Sequence, residues 1–328
     1  MEQRRFSGKG HWYHETQSNH SQTDVLPLVP EAANVDDRFL LDLALSEKIV
    51  TACDGWLAPA RALCHLLFPL DAPVNRLHTL SAYDRLSTAL TVAQACGVQR
   101  LCNHYAALLA PLPGPDSSRE SNRRLAQITQ YARQLSSSPD VIDAKAQEQL
   151  DEVGLTTYDL VLINQIIGFI GFQARVVAVF QALLGHPVRW LPGHHIQPHS
   201  LPLAFSAWKP VLPIVELRYA SAQQLESLAR WQAEPALEAL TPALCHAPLL
   251  LNLTGEILVN TRGEAPPTLP ALAAAIELLT RSPDRFSAAQ FTPLTEAGIP
   301  EATAITLLTE SAFYGWIGRL QVGLGIEE

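Results

Sequence analysis

The amino-acid sequence predicts an all-α protein, and three observations lead to that prediction. Apolar residues recur every three or four positions over long stretches, which is the spacing of one helix face. Several of these stretches begin with a hydroxyl residue followed three positions later by a carboxylate, the pattern of a helix capping box. The alternation of apolar and polar residues that is typical of half-buried strands is nearly absent.

Two long helices are predicted in the first third of the chain. Helical spacing runs through residues 36–67, until Pro69 breaks it. A second helix is predicted over residues 81–109, where Ser81 and Asp84 form the capping box at its start. A proline-rich stretch follows and ends this helix.

Two further helices are predicted to begin at residues 117–120 and 156–159, which repeat the same capping pattern. The second of them contains the apolar stretch 161–184, whose length matches a membrane span. Its one charge, Arg175, would cost about 2.5–3.5 kcal/mol at the centre of a bilayer. We therefore expect a core helix rather than a membrane span.

Proline and glycine divide the chain into four predicted segments. Residues 1–35 are a polar, extended arm, and residues 36–190 form a first helical domain. Residues 191–215 are a proline-rich linker. Residues 216–328 form a second, shorter helical domain.

Composition excludes several classes of partner and location. The net charge of -9 argues against a nucleic-acid partner, because phosphate binding needs a basic face. The first residues lack the apolar core of a secretory signal. Five cysteines without a Cys-x-x-Cys pair are typical of reduced thiols. We expect a cytoplasmic protein without a membrane partner.

Part of the first half recurs in the second half at an offset of 144 residues. The matching pairs share Ser-Pro-Asp, Glu-x-Gly and Phe-x-Gly-[Phe/Trp]-x-x-Arg patterns: 138–140 with 282–284, 152–154 with 296–298, and 169–175 with 313–319. The second half is therefore predicted to hold a degenerate copy of the first. In the two copies of this segment, Gly171 and Gly315 are expected to permit close helix approach, and Arg175 and Arg319 to pair with carboxylates.

Two stretches of sequence resemble the AhpD-like (carboxymuconolactone decarboxylase) family. They are residues 131–140 followed by 150–155, and residues 294–299 with 313–325. The resemblance covers about two-thirds of the chain. It implies an AhpD-like helical domain that is partially duplicated, a peroxidase-related oxidoreductase activity, and association of long helices into a homodimer or larger oligomer.

Active members of this family carry a glutamate, then a Cys-x-x-Cys pair and a histidine. The alignment puts Leu86 at the glutamate, Val98 and Leu101 at the two cysteines, and Tyr105 at the histidine. None of the four matches, so the family's dithiol mechanism does not carry over residue by residue.

Other reactive residues lie on the predicted helix 81–109. The candidate catalytic residues are Cys102 as a thiol, His104 and Asp84 as proton-transfer groups, and Tyr105 at the aligned histidine. Alternatively, Cys96 and Cys102 are ordinary buried cysteines. On one regular helix they are about 240° apart, which excludes a disulfide between them.

The linker offers a weaker alternative site for a metal. His194, His195 and His199 lie close together there, and neutral imidazoles bind zinc. Their spacing fits no standard zinc site, so no metal and no cofactor are predicted.

Two functions remain open at this point. The first is a peroxidase-related oxidoreductase with a degenerate site that lacks Cys-x-x-Cys, acting on a small-molecule substrate. The alternative is a non-redox protein on the same fold, either a small-molecule-binding protein or an oligomeric scaffold. Whether the chain is an enzyme is left undecided.

Overall fold

The computed structural model describes residues 32, 34–188, 196, 208–263 and 269–327. Within these residues the chain forms twelve α-helices and one pair of three-residue strands, so the all-α prediction is confirmed. The helices are α1 (Glu47–Leu67), α2 (Ala82–Cys96), α3 (Gln99–Leu109), α4 (Arg119–Ser137), α5 (Ala144–Glu152), α6 (Thr157–Leu183), α7 (Ala222–Trp231), α8 (Thr241–Leu244), α9 (Pro248–Thr261), α10 (Pro270–Arg281), α11 (Phe291–Glu296) and α12 (Glu301–Leu324). Strands β1 (Trp208–Pro210) and β2 (Gly325–Glu327) pair antiparallel.

The central helix α6 is apolar on all sides and lies in the core. It packs against α2, α4, α10 and α12. By length and composition it is able to cross a membrane, and 89% of its most apolar window is buried inside the protein. This burial agrees with the core helix expected for the apolar stretch 161–184.

The continuous helix predicted over residues 81–109 is wrong. Gly97 adopts a left-handed conformation with φ of 72° and ends α2, and Val98 then begins α3. In addition, a Cβ atom at position 97 would lie only 3.1 Å from Cβ and Cγ of Asp284. Local backbone freedom and this close contact both explain why glycine breaks the helix here.

The predicted helix start at Asp36 is also wrong, because α1 begins at Glu47. In the segment before α1, two carboxylates accept hydrogen bonds from backbone amides and form a turn instead of a helix. Asp37 accepts hydrogen bonds from the amides of Phe39 and Leu40, and Asp42 accepts from the amides of Asp36 and Asp37. Leu41 and Asp42 have φ values of 55° and 53°, which a helix excludes.

Capping residues predicted most helix starts correctly. Ser81 and Thr156 each form a complete capping box with the acid three positions later. The helix expected from Ser117 is instead capped by Ser118, which accepts from the amide of Ser121. A shift of one residue is within the usual uncertainty of helix ends.

The two predicted helical domains share one core. Helix α6 packs on α12 and α1 packs on α9, and β1 pairs with β2. The largest cluster of buried apolar residues includes side chains from both halves. Most of the predicted arm 1–35 and of the linker 191–215 lies outside the described residues, and the division into domains stays a prediction.

Contacts between α6 and α12 come in equivalent pairs. Arg175 donates to the carbonyl four residues earlier in its own helix (2.7 Å) and to the carbonyl of Thr280 (2.7 Å). Arg319 does the same in its helix (2.8 Å) and with the carbonyl of Ser136 (2.9 Å). Among the described residues neither arginine pairs with a carboxylate, so that expectation is wrong: backbone carbonyls at the ends of α4 and α10 take the carboxylates' place.

Aromatic rings between the two helices are paired in the same way. Phe169 meets Trp316 edge-on at 5.7 Å, and Phe313 meets Phe172 edge-on at 5.7 Å. Phe172 and Trp316, which are equivalent positions, lie 5.9 Å apart. The two helices therefore contact each other through the same positions in both directions.

Close helix approach occurs at a different glycine from the predicted ones. A Cβ atom at Gly168 would lie only 1.9 Å from Trp316 Cδ1. At Gly171 and Gly315 the nearest atom is the guanidinium of the arginine four residues later, at 3.4 and 3.6 Å. Those two glycines leave room for an arginine rather than for a neighbouring helix.

Candidate functional site

The four predicted catalytic residues do not form one cluster. Asp84 lies in the first turn of α2, whereas Cys102, His104 and Tyr105 lie on α3. Asp84 lies about 18 Å along α2 from Cys96, the last residue of that helix, and Cys102 lies in the first turn of α3 just beyond it. His104 and Tyr105 are in contact, with ring centroids 5.1 Å apart.

The carboxylate of Asp84 has a structural role at the start of α2. It accepts from the amide and the hydroxyl of Ser81, both at 3.0 Å. Arg124 lies 3.7 Å from the same oxygen. These contacts hold the helix start and leave Asp84 remote from the thiol that it was expected to serve.

Cys102 is partly buried and lacks the features of an activated thiol. Burial, with a smaller effect of the neighbouring Cys96, raises the pKa of its thiol to about 12. The nucleophile in thiol chemistry is the thiolate, so Cys102 is a poor nucleophile at neutral pH.

The other four thiols are no more reactive, and all five cysteines are free. Burial raises the pKa of Cys53 and Cys245 to about 11 and that of Cys64 to about 12. It also raises the pKa of Cys96, although Arg175 opposes this shift through its charge and a hydrogen bond. No thiol is therefore shifted toward ionisation at neutral pH.

The aligned cysteine positions lie at the N-terminus of α3. Val98 is the N-cap residue, and Leu101 lies in the first turn. A helix N-terminus stabilises a thiolate, so the location suits the dithiol chemistry of the family. Both side chains are nevertheless apolar and buried, so they contribute to the core instead.

His104 is held neutral in the interior. Only 1% of the residue is exposed, and neither ring nitrogen hydrogen-bonds to a described side chain. Burial, together with the positive charge of Arg38, lowers the pKa of the imidazole to about 4, against smaller opposing effects of the Ala32 backbone and Asp42. Among the described residues no hydrogen bond connects His104 to Cys102, so the structure shows no route by which the imidazole would accept the thiol proton.

Tyr105 belongs to a buried polar network. Its hydroxyl donates to Gln173 Oε1 at 2.8 Å, and burial keeps its pKa well above the usual range. Gln173 in turn donates to the carbonyls of Arg38 (2.9 Å) and Phe39 (2.8 Å). Cys64 lies beside the tyrosine and donates to the same carbonyl of Arg38. The network connects α1, α3 and α6 to the turn that precedes α1.

A cavity of about 250 Å³ opens on the outer side of this turn, and we call it the Arg38 cavity. It lies between the turn and the second half of α1. Four of its six lining residues are acids or arginines. The lining residues are Asp36, Asp37, Arg38, Phe39, Arg61 and His65.

This cavity was not predicted from the sequence, because helical spacing predicts one continuous helix over its residues. A signal was nevertheless present: Asp37 and Arg38 interrupt an otherwise apolar pattern, which is unusual for a helix that packs on a core.

A second cavity lies at the N-terminus of α3 and measures about 70 Å³. Gln99, Arg100, His186 and Asp284 are among its lining residues. Its volume corresponds to about two water molecules at ~30 Å³ each. This space is too small for an organic hydroperoxide.

Metal binding finds no support in the part of the chain that the structure describes. No group of three histidine, cysteine or acidic residues is placed to hold an ion there. The weak alternative site at His194, His195 and His199 lies outside the described residues.

Comparison with known proteins adds no family assignment. No protein-family model matches the chain, and no curated protein is similar enough to be identified as a relative. The conclusions on function therefore depend on the sequence and on the geometry described above.

Proposed function

We propose that this chain is a non-redox protein that binds a small molecule, on a partially duplicated AhpD-like helical fold. One observation carries the proposal: burial raises the pKa of all five thiols, while valine and leucine occupy the positions of the catalytic cysteines. Thiol chemistry needs an accessible thiolate, and no thiol of the chain meets that requirement.

Structural equivalences support the proposed duplication. Ser138 and Ser282 end α4 and α10 with the same φ of -148°, and with ψ of 63° and 65°. Gly154 and Gly298 have left-handed φ values of 84° and 81°. The reciprocal arginine and aromatic contacts of α6 and α12 are those of an isologous interface, in which the same positions meet in both directions.

The oligomer expected from the family resemblance belongs to the same proposal. The family's long helices associate between subunits, and in this chain α6 and α12 already pack on each other. Any self-association therefore uses another surface of the molecule.

The proposal is tested by peroxide turnover. The full chain is incubated with hydrogen peroxide or tert-butyl hydroperoxide and with dithiothreitol, and peroxide loss is compared with that of the Cys102→Ser variant. We expect no protein-dependent turnover from either protein. Turnover that the serine variant loses would contradict the proposal and assign the chain to the oxidoreductases.

A parallel titration with Ellman's reagent tests the state of the thiols. The thiols of the native chain are expected to react slowly at pH 7.5, and all five thiols of the chain unfolded in urea are expected to react quickly. Rapid labelling of one thiol in the native chain would identify an activated cysteine and contradict the proposal.

One observation favours the second candidate function, a peroxidase-related oxidoreductase. The break at Gly97 puts Cys96 and Cys102 on different helices, so the argument from one regular helix no longer excludes a disulfide. Hydrogen peroxide would oxidise one thiol to a sulfenic acid with release of water. The second thiol would then condense with it to a disulfide, with release of another water. Peptide mapping under non-reducing conditions after peroxide treatment detects this bond.

A further inference from the structure

We infer that residues 211–225 form the surface through which two copies of this chain associate, and we call it the 211–225 surface. The inference deepens the self-association that belongs to the proposed function and rests on it. Three features carry the argument: a run of exposed apolar side chains, a backbone that is fixed on the body of the protein, and charges that complement a second copy of the same surface.

The 211–225 surface exposes an unusual number of apolar side chains. Eleven of its residues are exposed. Tyr219 and Leu217 have the largest exposed fractions among its apolar residues, 75% and 62%. Single exposed apolar residues are common on soluble proteins, whereas a dense group of them marks a contact site. The exposed large apolar residues are Val211, Ile214, Leu217, Tyr219 and Leu225.

The backbone of this surface is held against the body of the protein. At one end the amide of Val211 donates to the carbonyl of Leu324 at 3.0 Å. At the other end the side chain of Gln224 donates to the carbonyl of Cys245 at 3.1 Å. Between them residues 217–219 form a short 3-10 turn. A surface that is already ordered loses little conformational entropy when it binds a partner.

Neighbouring side chains hold Tyr219 in place although its ring is exposed. The guanidinium of Arg218 lies over the ring, 4.6 Å from its centre. Arg218 in turn donates from Nε to Oε2 of Glu216 at 2.9 Å. Tyrosine and arginine are both enriched among the residues that contribute most to protein–protein contacts. Tyr219 and Arg218 are therefore the expected centre of the contact.

The charges favour a second copy of this chain as the partner. The chain has a net charge of -9, so two copies repel each other on average. The 211–225 surface contains one acid, Glu216, and one base, Arg218, and is therefore neutral. In a two-fold contact the same positions meet in both directions, so Glu216 of each copy can pair with Arg218 of the other copy.

The size of the surface suits the central part of a dimer contact. A standard interface uses about 20–30 residues of each partner, with an apolar centre and a polar rim. The eleven exposed residues supply that centre, and the residues around them supply the rim. We expect a dimer with a Kd on the order of micromolar.

The test is sedimentation velocity of the full chain and of Leu217→Asp between about 1 and 100 µM, a range around the expected Kd. The parent chain is expected to reach the mass of two chains within this range. Leu217→Asp is expected to weaken the dimer about thirtyfold or more, because it removes an apolar contact and introduces two like charges into the interface.

Leu77→Asp is the matched control. Leu77 is also an exposed leucine, with an exposed fraction of 69%, and it lies between α1 and α2, outside the 211–225 surface. The dimer of this variant is expected to be as strong as that of the parent chain. Circular dichroism establishes that each variant is folded.

A charge exchange tests whether the partner is a second copy. Glu216→Arg and Arg218→Glu each place like charges opposite each other in a two-fold contact, so each variant alone is expected to weaken the dimer. In an equal mixture of the two variants, every such pair again joins an acid and a base. The mixture is therefore expected to dimerise as strongly as the parent chain, and a mixture that stays as weak as the single variants would contradict the two-fold contact.

Three further results would overturn the inference. A parent chain with the mass of one chain at about 100 µM would leave a different protein as the partner. A dimer that Leu217→Asp leaves intact, or one that Leu77→Asp dissociates, would place the contact elsewhere and leave self-association standing. Peroxide turnover would reject the non-redox function even if the chain dimerises through this surface.

Discussion

Replacing Gly168 with alanine is expected to destabilise the protein, because this glycine lies where α6 meets Trp316. The new Cβ atom would lie 1.9 Å from Cδ1 and 2.5 Å from Nε1 of the indole, whereas carbon atoms prefer about 3.5–4.0 Å. Trp316 is 1% exposed and packs against Phe169, Phe172 and Phe313, so it has little room to move. Overpacking of this kind costs about 1–3 kcal/mol, and the upper end applies here.

The gain in helix propensity offsets part of this cost. Alanine is more favourable than glycine by about 1 kcal/mol inside a helix. The expected net loss for Gly168→Ala is therefore about 2 kcal/mol in the free energy of unfolding. Urea unfolding followed by far-UV circular dichroism measures it, and equal slopes of the two transitions make the comparison valid.

Gly171→Ala is the matched control in the same helix. Its nearest neighbour would be Nη1 of Arg175 at 3.4 Å, which is an ordinary contact distance. The expected effect is therefore a gain of up to about 1 kcal/mol from helix propensity. Equal stability of Gly168→Ala and the parent chain would refute the α6–α12 packing. A large loss in Gly171→Ala would show that the helix contact lies there instead.

Three further predictions concern the interior and the assembly. His104 has a folded pKa of about 4, below its unfolded value of about 6.5, so the unfolded chain binds more protons between these values. Stability should therefore fall by up to about 3 kcal/mol as the pH drops from 6.5 to 4, and urea titrations of His104→Leu should lack this part of the loss. Tyr105→Phe removes the donor to Gln173 and should cost about 1–3 kcal/mol in urea, with Tyr219→Phe, at an exposed ring, as an unaffected control. Light scattering at micromolar concentration should give the mass of at least two chains, and the mass of one chain would reject self-association.

Helix starts were predictable from sequence because their signals are local. Ser81 and Thr156 satisfy amides within their own first turn, and no distant residue is needed to complete the capping box. The break at Gly97 was not predictable in the same way. A single glycine inside a helical pattern is compatible with a continuous helix, and the contact with Asp284 that favours the break comes from residues far away in the chain.

The turn before α1 was missed because apolar spacing and side-chain capping gave conflicting signals. Residues 39–43 carry apolar side chains at positions that suit a helix. Asp37 and Asp42 instead bind nearby amides, which stabilises a turn over a helix. The cavity at Arg38 lies beside this turn, so the wrong helix start also concealed the cavity.

The N-terminus of α3 shows why a helical fold and a thiol site make opposing demands on the same positions. Burial of one large aliphatic side chain contributes about 1.5–3 kcal/mol, and Val98 and Leu101 both contribute in this way. A reactive thiolate at either position would need water, a proton acceptor and an approach for the substrate. The residues present supply neither a proton acceptor nor an approach for the substrate, because His104 is neutral and buried and the nearby cavity has room for only about two water molecules. Cysteines introduced at positions 98 and 101 alone would therefore add two buried thiols with raised pKa values and no peroxidase activity. A reactive site would also require the surrounding core to open.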